Sequence, residues 1–236
     1  MYEALVITPV KDSLKTTTET IQSIKNSTGN FHYCIFNDFS SDENTDILKS
    51  LSVQHNFELI NLAEITDTPS PNYRLVLQLA QDKALKLGLP LIIVESDVEV
   101  QNNTLSELVR KSKTLHKCGM IGSVTRNTEG EINFPYLNFK RTKKEIVNTR
   151  HSLSFCCTLI TNGLLKMYNF KTLSTEKHWY DVSISRKSLQ FGLNNYLLVN
   201  EGVLHKPHSS RPWKQLKYTN PIKYYYQKLV KRLDKI

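Results

Sequence analysis

Glycine is scarce in this chain, with 8 residues in 236, and none falls in a G-x-G-x-x-G or G-x-x-x-x-G-K-[ST] pattern. Without such a loop there is no backbone cradle for phosphates of the kind that opens a dinucleotide-binding or P-loop fold, so dehydrogenase and kinase readings lack support. The sequence G-x-S-x-G is missing too, which removes the nucleophile elbow of the hydrolases that use it. Cysteine is limited to Cys34, Cys118, Cys156 and Cys157. None forms C-x-x-C, and adjacent Cys156 and Cys157 cannot easily share one zinc. Reduced, buried thiols are expected rather than a metal knot or a disulfide framework. No apolar run is long enough to span a bilayer. No basic stretch or cleavage pattern precedes the apolar segment at Ala4, so no secretory signal is visible and a cytoplasmic protein is expected.

What is present is a globular composition, 39% hydrophobic and 22% charged, in a length that suits one α/β domain with a tail. The net charge of +9 is concentrated. Residues 205–236 carry nine Lys or Arg against the single acid Asp234, which leaves that segment at +8 and the remaining body near +1. The basic character is a clue about the partner of one segment, not of the whole molecule.

The first half alternates apolar and amphipathic stretches. Residues 4–7, 32–36, 57–60 and 90–94 read as buried strands, the last being the most apolar. Helices are expected over 13–27, after a cap at Asp42 or Asn44, and over 74–87 with Gly88 as the stop. Strands alternating with helices argue for a mostly parallel sheet covered on both faces. The second half is less regular. Residues 120–125 look like a strand, 128–144 like a loop or hairpin, 153–161 like a buried apolar run, 178–191 like a helix, and 196–199 with 203–204 like short strands.

Polar residues collect after the strands, at Thr8-Pro9, at Asn37-Asp38-Phe39-Ser40-Ser41-Asp42 and at Glu95-Ser96-Asp97. Ligands of open α/β sheets bind beyond the carboxyl ends of the strands, so the three clusters predict one shared site. Glu95 and Asp97 are the most informative pair. Two carboxylates this close repel, and a cation between them is a natural partner. Hard oxygen ligands suit Mg²⁺ or Mn²⁺, which would neutralise a bound diphosphate. An acidic turn with no ligand has the same sequence signature, and the Asp38 cluster equally suits a turn and helix cap.

The order of these motifs resembles glycosyltransferase family 2, whose members have the GT-A fold. The resemblance runs from Ala4 to about His208. It rests on Thr8-Pro9, on Asn37-Asp38-x-Ser-x-Asp42, on Glu95-Ser96-Asp97, on Trp179-Tyr180-Asp181 with Arg186, and on Val203-Leu204-His205. It implies an inverting enzyme that moves a sugar from a nucleotide-diphosphate donor to a glycan or lipid-linked acceptor, in surface polysaccharide or lipopolysaccharide synthesis. By the same resemblance Asp38 contacts the nucleotide base, Glu95 faces the ribose or sugar, and Thr8, Pro9, Asp12, Arg74 and Ser96 complete the donor side. Asp97 is the implied metal ligand, His205 its partner with His208 as rival, and Asp181 the base. The chain departs from the family pattern at Asn37, Glu95 and Tyr180, where the family has Asp, Asp and Glu. The polar residues of the third helix have no firm counterpart; Arg74, Gln78 and Gln81 are the candidates.

Two other readings compete with this one. A sugar-nucleotide nucleotidyltransferase shares the architecture, but its first loop is usually Gly-rich and basic, unlike Thr8-Pro9-Val10-Lys11-Asp12. A nucleic-acid-binding protein would use the basic tail and its tyrosines, yet the body is nearly neutral and the acidic site would repel phosphate; no nucleic acid is expected. The division is a catalytic domain over 1–208 and a tail over 209–236. Within the tail, Ile222, Tyr225, Tyr226, Leu229, Val230, Leu233 and Ile236 fall on one helical face with Lys223, Lys228, Lys231, Arg232 and Lys235 elsewhere. A basic amphipathic helix of this kind suits either an anionic membrane surface, which would make the protein peripheral at the inner face of the cell membrane, or packing on the catalytic domain.

Overall fold

The computed structural model describes residues 1–176, 179–206 and 220–230. In chain order the elements are β1 (Ala4–Val10), α1 (Leu14–Lys25), β2 (Phe31–Asn37), α2 (Asp42–His55), β3 (Glu58–Asn61), α3 (Tyr73–Leu87) and β4 (Leu91–Val94). There follow β5 (Val98–Glu99), α4 (Thr104–Thr114), β6 (Cys118–Arg126), β7 (Ile146–Thr149), β8 (Cys157–Ile160), α5 (Asn162–Met167), α6 (Tyr180–Gln190), β9 (Asn194–His205) and α7 (Pro221–Val230).

Among the described residues nine strands form one sheet in the order β3-β2-β1-β4-β8-β6-β9-β5, with β7 also on β9. The expected parallel arrangement holds across β3-β2-β1-β4. Beyond β4 the sheet is mixed: β8 runs antiparallel between β4 and β6, β6 pairs in parallel with β9, and β5 and β7 lie antiparallel to β9.

The strands are apolar on both sides because both faces are covered. Side chains of β1 and β4 alternate between two cores. Leu5, Ile7, Leu91 and Ile93 join one cluster with Val76, Leu77 and Ala80 of α3, while Ala4, Val6, Ile92 and Val94 join the other with Ile21 of α1 and Leu48 of α2. The period of two along each strand makes that division.

Several boundaries differ from expectation for local reasons. Strand β1 continues through Thr8 and Pro9 to Val10, because β2 offers partners up to Asn37. Helix α2 is capped by Ser41, whose Oγ accepts from the Asn44 amide at 3.3 Å, rather than by Asp42 or Asn44. Gly88 ends α3 at φ 71°, as expected. Strand β9 is one element where two short strands were expected. The short β7 and α5 carry too little periodicity to be seen in advance. No helix among the described residues is long and apolar enough to cross a membrane.

Candidate functional site

The acidic triplet sits where the apolar strand β4 ends. The Glu95 amide donates to Cys156 O at 3.1 Å, which continues the β4–β8 pairing by one bond, and Val98 N then donates back to Glu95 O at 3.2 Å. That closes a turn with Ser96 and Asp97 at its corner. The next two residues, as β5, pair antiparallel with the end of β9 so that Val98 faces His205. The Lys206 amide donates to Asp97 O at 2.9 Å and fixes the turn from the other side.

This pairing delivers His205 to the carboxylates. Its Nε2 stands 3.7 Å from Asp97 Oδ2, while Nδ1 lies 3.0 Å from the carbonyl oxygen of Phe134. A carbonyl only accepts, so Nδ1 carries the proton and Nε2 faces the acids with its lone pair in the neutral ring. Cys156 is a member the sequence did not reveal. Its Sγ is 3.3 Å from Glu95 Oε2, and the ligand-capable atoms of Glu95, Cys156 and His205 lie within 4.8 Å of one another. The electrostatics match the crowding. Burial first, and then the charge of Asp97, raise the Glu95 carboxyl to about 7. Burial acts downward on His205, but the contact with Asp97 and the charge of Glu95 outweigh it and raise the imidazole. The group fits a divalent cation: hard oxygens, one imidazole with a fixed tautomer, and like charges that a cation would relieve.

Asp181 opens α6 across the site. Burial raises its carboxyl, against the lowering effect of the Val182 amide, which donates to Oδ1 at 2.8 Å. Its charge adds, as the smallest of the causes, to the raising of Glu95.

The remaining expected donor-side residues are placed differently from one another. Thr8 does not face the site: it is fully buried within β1, and Tyr33 OH donates to its hydroxyl at 3.0 Å. Asp12 is engaged locally. Its Oδ1 accepts from the Ser41 amide at 2.7 Å and from Asn44 Nδ2 at 3.3 Å, and Ser40 Oγ receives its amide at 3.0 Å. Asp38 is buried and accepts from Ser70 Oγ at 2.7 Å, Asn72 N at 2.8 Å and Asn72 Nδ2 at 2.9 Å. Arg74 donates from Nη2 to Lys171 O at 2.9 Å. Pro9 and Ser96 are partly buried. A hollow of about 270 Å³ opens at the ends of β2 and β3, lined in part by Asn37, Phe39, Ser40, Thr45 and Asn61. His208 lies outside the described residues.

The profile described as Glycosyl transferase family 2 matches residues 5–168. The chain belongs to glycosyl transferase family 2. Solved structures agree on the fold. The chain is similar to the mannosyltransferase PcManGT from Pyrobaculum calidifontis in complex with GDP-Man and Mn²⁺, at 14% identity and a TM-score of 0.67, covering 97% of this chain and 65% of that one. It is similar to S. aureus TarS 1-349, at 19% identity and a TM-score of 0.65, covering 86% and 60%. It is similar to GalNAc-T7 with UDP, GalNAc and Mn²⁺, at 13% identity and a TM-score of 0.65, covering 89% and 45%. The family 2 chain thus spans between 45% and 65% of the length of these three. A search of curated proteins gives no match. The fold is of the GT-A kind, as the motif order implied.

The raised groups make a prediction. A carboxyl held at about 7 in the fold and at its ordinary value when unfolded stabilises the protein below that ordinary value, and loses this as pH rises through 7. His205, raised from 6.5, acts in the same direction. Without added divalent metal, the melting temperature should therefore fall between about pH 5 and pH 8. Glu95→Gln should flatten that slope in a calorimetric pH series.

Proposed function

We propose that this chain transfers a sugar from a nucleotide-diphosphate donor to a hydroxyl of a glycan or lipid-linked acceptor, by one displacement with inversion. The carrying observation is the meeting of Asp97 and His205 at the end of β4, with the His205 ring oriented by Phe134 O. Family membership and the Mn²⁺ and sugar nucleotide held by the PcManGT structure support the reading.

On this reading Asp97 and the Nε2 of His205 would hold Mn²⁺ or Mg²⁺, with Glu95 beside it toward the donor ribose or sugar. When bound, the cation supplies positive charge for the diphosphate that leaves. Asp38 serves the donor by fixing the start of α3 through Asn72, leaving its remaining lone-pair capacity for the base. Asp12 holds the β1 loop against the start of α2, so that the donor meets rigid loop ends. Asp181 takes the proton of the attacking hydroxyl. Burial makes its carboxylate a stronger base than an exposed aspartate. With Asp181 as the single base of the reading, and Glu95 and Asp97 assigned to the donor and cation, a direct displacement with inversion is favoured over a covalent intermediate, by analogy with glycoside hydrolysis.

Two substitutions test this. Asp97→Ala should abolish Mn²⁺-dependent binding of UDP or GDP, read by calorimetric titration, while the circular dichroism spectrum is kept. Intact binding in that variant would remove Asp97 from the site. Asp181→Asn keeps shape and removes basicity. It should lower turnover by roughly 10²–10⁴-fold with donor affinity retained, and near-normal turnover would move the base elsewhere.

The second part of the reading concerns the surface at which the acceptor waits. In α7, Ile222, Tyr225 and Tyr226 are exposed, and Tyr224, which the helical spacing left off the apolar stripe, is the buried one. Residues 231–236, which would complete the basic stripe, lie outside the described residues. We propose that α7 and its continuation dock on an anionic membrane, where basic residues near the surface contribute about 1 kcal/mol each. Co-sedimentation with anionic liposomes should be lost when the chain is truncated after Asn220. Equal sedimentation of both forms would leave α7 as a packing element.

A further inference from the structure

A second cluster of metal-capable side chains sits at the amino ends of β2 and β3. Glu95 and Asp97 follow the other end of the same parallel strands. His32 and Cys34 are two residues apart on β2 and so point to one face. Glu58 opens β3 and pairs directly with Cys34 in the parallel register. One carboxylate oxygen gathers the group: His32 Nε2 stands 2.8 Å and Cys34 Sγ 3.3 Å from Glu58 Oε2. The other oxygen, Oε1, accepts from Lys83 Nζ of α3 at 2.7 Å, which fixes the carboxylate. The ligand-capable atoms of His32, Cys34 and Glu58 lie within 4.8 Å of one another.

Burial pushes the Glu58 carboxyl up, but the hydrogen bonds from Lys83, His32 and Cys34 outweigh it and keep the group ionised. An ionised carboxylate only accepts, so Nε2 and the thiol each hold a proton against Oε2. Two protons converging on one oxygen mark a place that a cation can take. Cys34 is fully buried, but the side chains of His32 and Glu58 are 23% and 37% exposed, so the cluster opens to solvent through them. An ion that replaces two protons needs no preformed cavity. Tetrahedral zinc at its usual bond lengths sets ligand edges of about 3.4 Å from N to O and about 3.6 Å from S to O, so the two separations need open by only about 0.6 and about 0.3 Å. The donor set selects the ion. A thiolate, an imidazole and a carboxylate oxygen suit Zn²⁺ and similar borderline ions, whereas Mg²⁺ and Mn²⁺ favour oxygen ligands.

We propose that His32, Cys34 and Glu58 form a binding site for a borderline transition-metal dication such as Zn²⁺, separate from the Asp97–His205 centre and clipping β2 to β3. On binding, the Cys34 thiol loses its proton to solvent and its sulfur bonds the metal. His32 bonds through Nε2, whose proton moves to Nδ1 by exchange with water. Glu58 bonds through Oε2 while Lys83 keeps Oε1, and water takes the fourth position. One proton leaves per ion and no electron moves.

The probe is Co²⁺, which takes zinc sites and shows an intense near-ultraviolet band when a thiolate bonds it. Full-length Cys156→Ser is the starting protein, because it lacks the thiol beside Glu95. Cys34→Ser and His32→Gln are each added to it. Both keep a hydrogen-bond donor for Glu58 and delete a metal ligand, so a cluster that serves only as a hydrogen-bond network is insensitive to them. The expected result is a saturable band that Zn²⁺ displaces and Mg²⁺ does not. It should be absent with Cys34→Ser. With His32→Gln its apparent affinity should fall at least about tenfold, the least that losing even an outer-shell partner costs. The circular dichroism spectrum of each metal-free variant should be kept. No band, a band that survives Cys34→Ser, or unchanged affinity with His32→Gln overturns the site. Should either serine variant fail to fold, His32→Gln in the wild-type background decides: a component of the Co²⁺ titration must weaken there, or the site is overturned.

Discussion

Two carboxylates two residues apart, walled in by apolar strands, repel each other, and the surroundings of Glu95 and Asp97 are arranged around that repulsion. An uncompensated buried charge is expensive, and proteins answer by neutralising or pairing it. Here Glu95 is pushed up toward proton uptake and takes a thiol contact from Cys156, while Asp97 stands against His205. The antiparallel pairing of β5 with the end of β9 is the covalently distant but geometrically short route that brings the imidazole there. Without that pairing the acidic turn would lack the imidazole beside Asp97.

The loops around this centre are tied to one another rather than to solvent. Asp12 links the end of β1 to Ser40, Ser41 and Asn44, and Asp38 links the end of β2 to Ser70 and Asn72. Each carboxylate accepts several hydrogen bonds from backbone or short side chains, which are the stronger kind when one partner is charged. A site whose walls are fixed before a ligand arrives loses less entropy on binding. In a family 2 enzyme the acid after the second strand is expected to meet the nucleotide. In this chain most of its hydrogen-bonding capacity is spent on Ser70 and on Asn72, which holds the start of α3.

The legible part of the sequence is local. The apolar runs at 4–7, 32–36 and 90–94 became β1, β2 and β4, and Gly88 stopped α3, because each signal is carried by neighbouring residues. The polar end of the fourth strand pointed to Glu95 and Asp97 for the same reason, whereas Asp181 was pointed to only by the motif resemblance. What stayed hidden depends on pairing between distant segments. That β8 inserts antiparallel between β4 and β6 decides that Cys156 reaches Glu95, and no spacing within residues 153–161 contains that information. Thr8 was misplaced because a polar residue at the end of an apolar run reads as the end of the strand. Its hydroxyl is instead satisfied inside the fold by Tyr33, so the strand can continue past it.

The two acidic groups that chemistry needs are raised by the same cause and separated by their neighbours. Burial moves both Glu95 and Asp181 upward. Glu95 has His205 and the thiol of Cys156 within reach, so a cation entering beside Asp97 would displace its proton and turn it into an anionic contact. Asp181 accepts from backbone amides at the start of α6, of which Val182 N is one. Burial outweighs those amides and leaves Asp181 with a raised carboxyl, the higher basicity that proton abstraction would use. On the proposed reading, this difference of environment would suit Glu95 to charge neutralisation and Asp181 to proton transfer, with a diphosphate leaving on one side of the sugar and a hydroxyl attacking on the other.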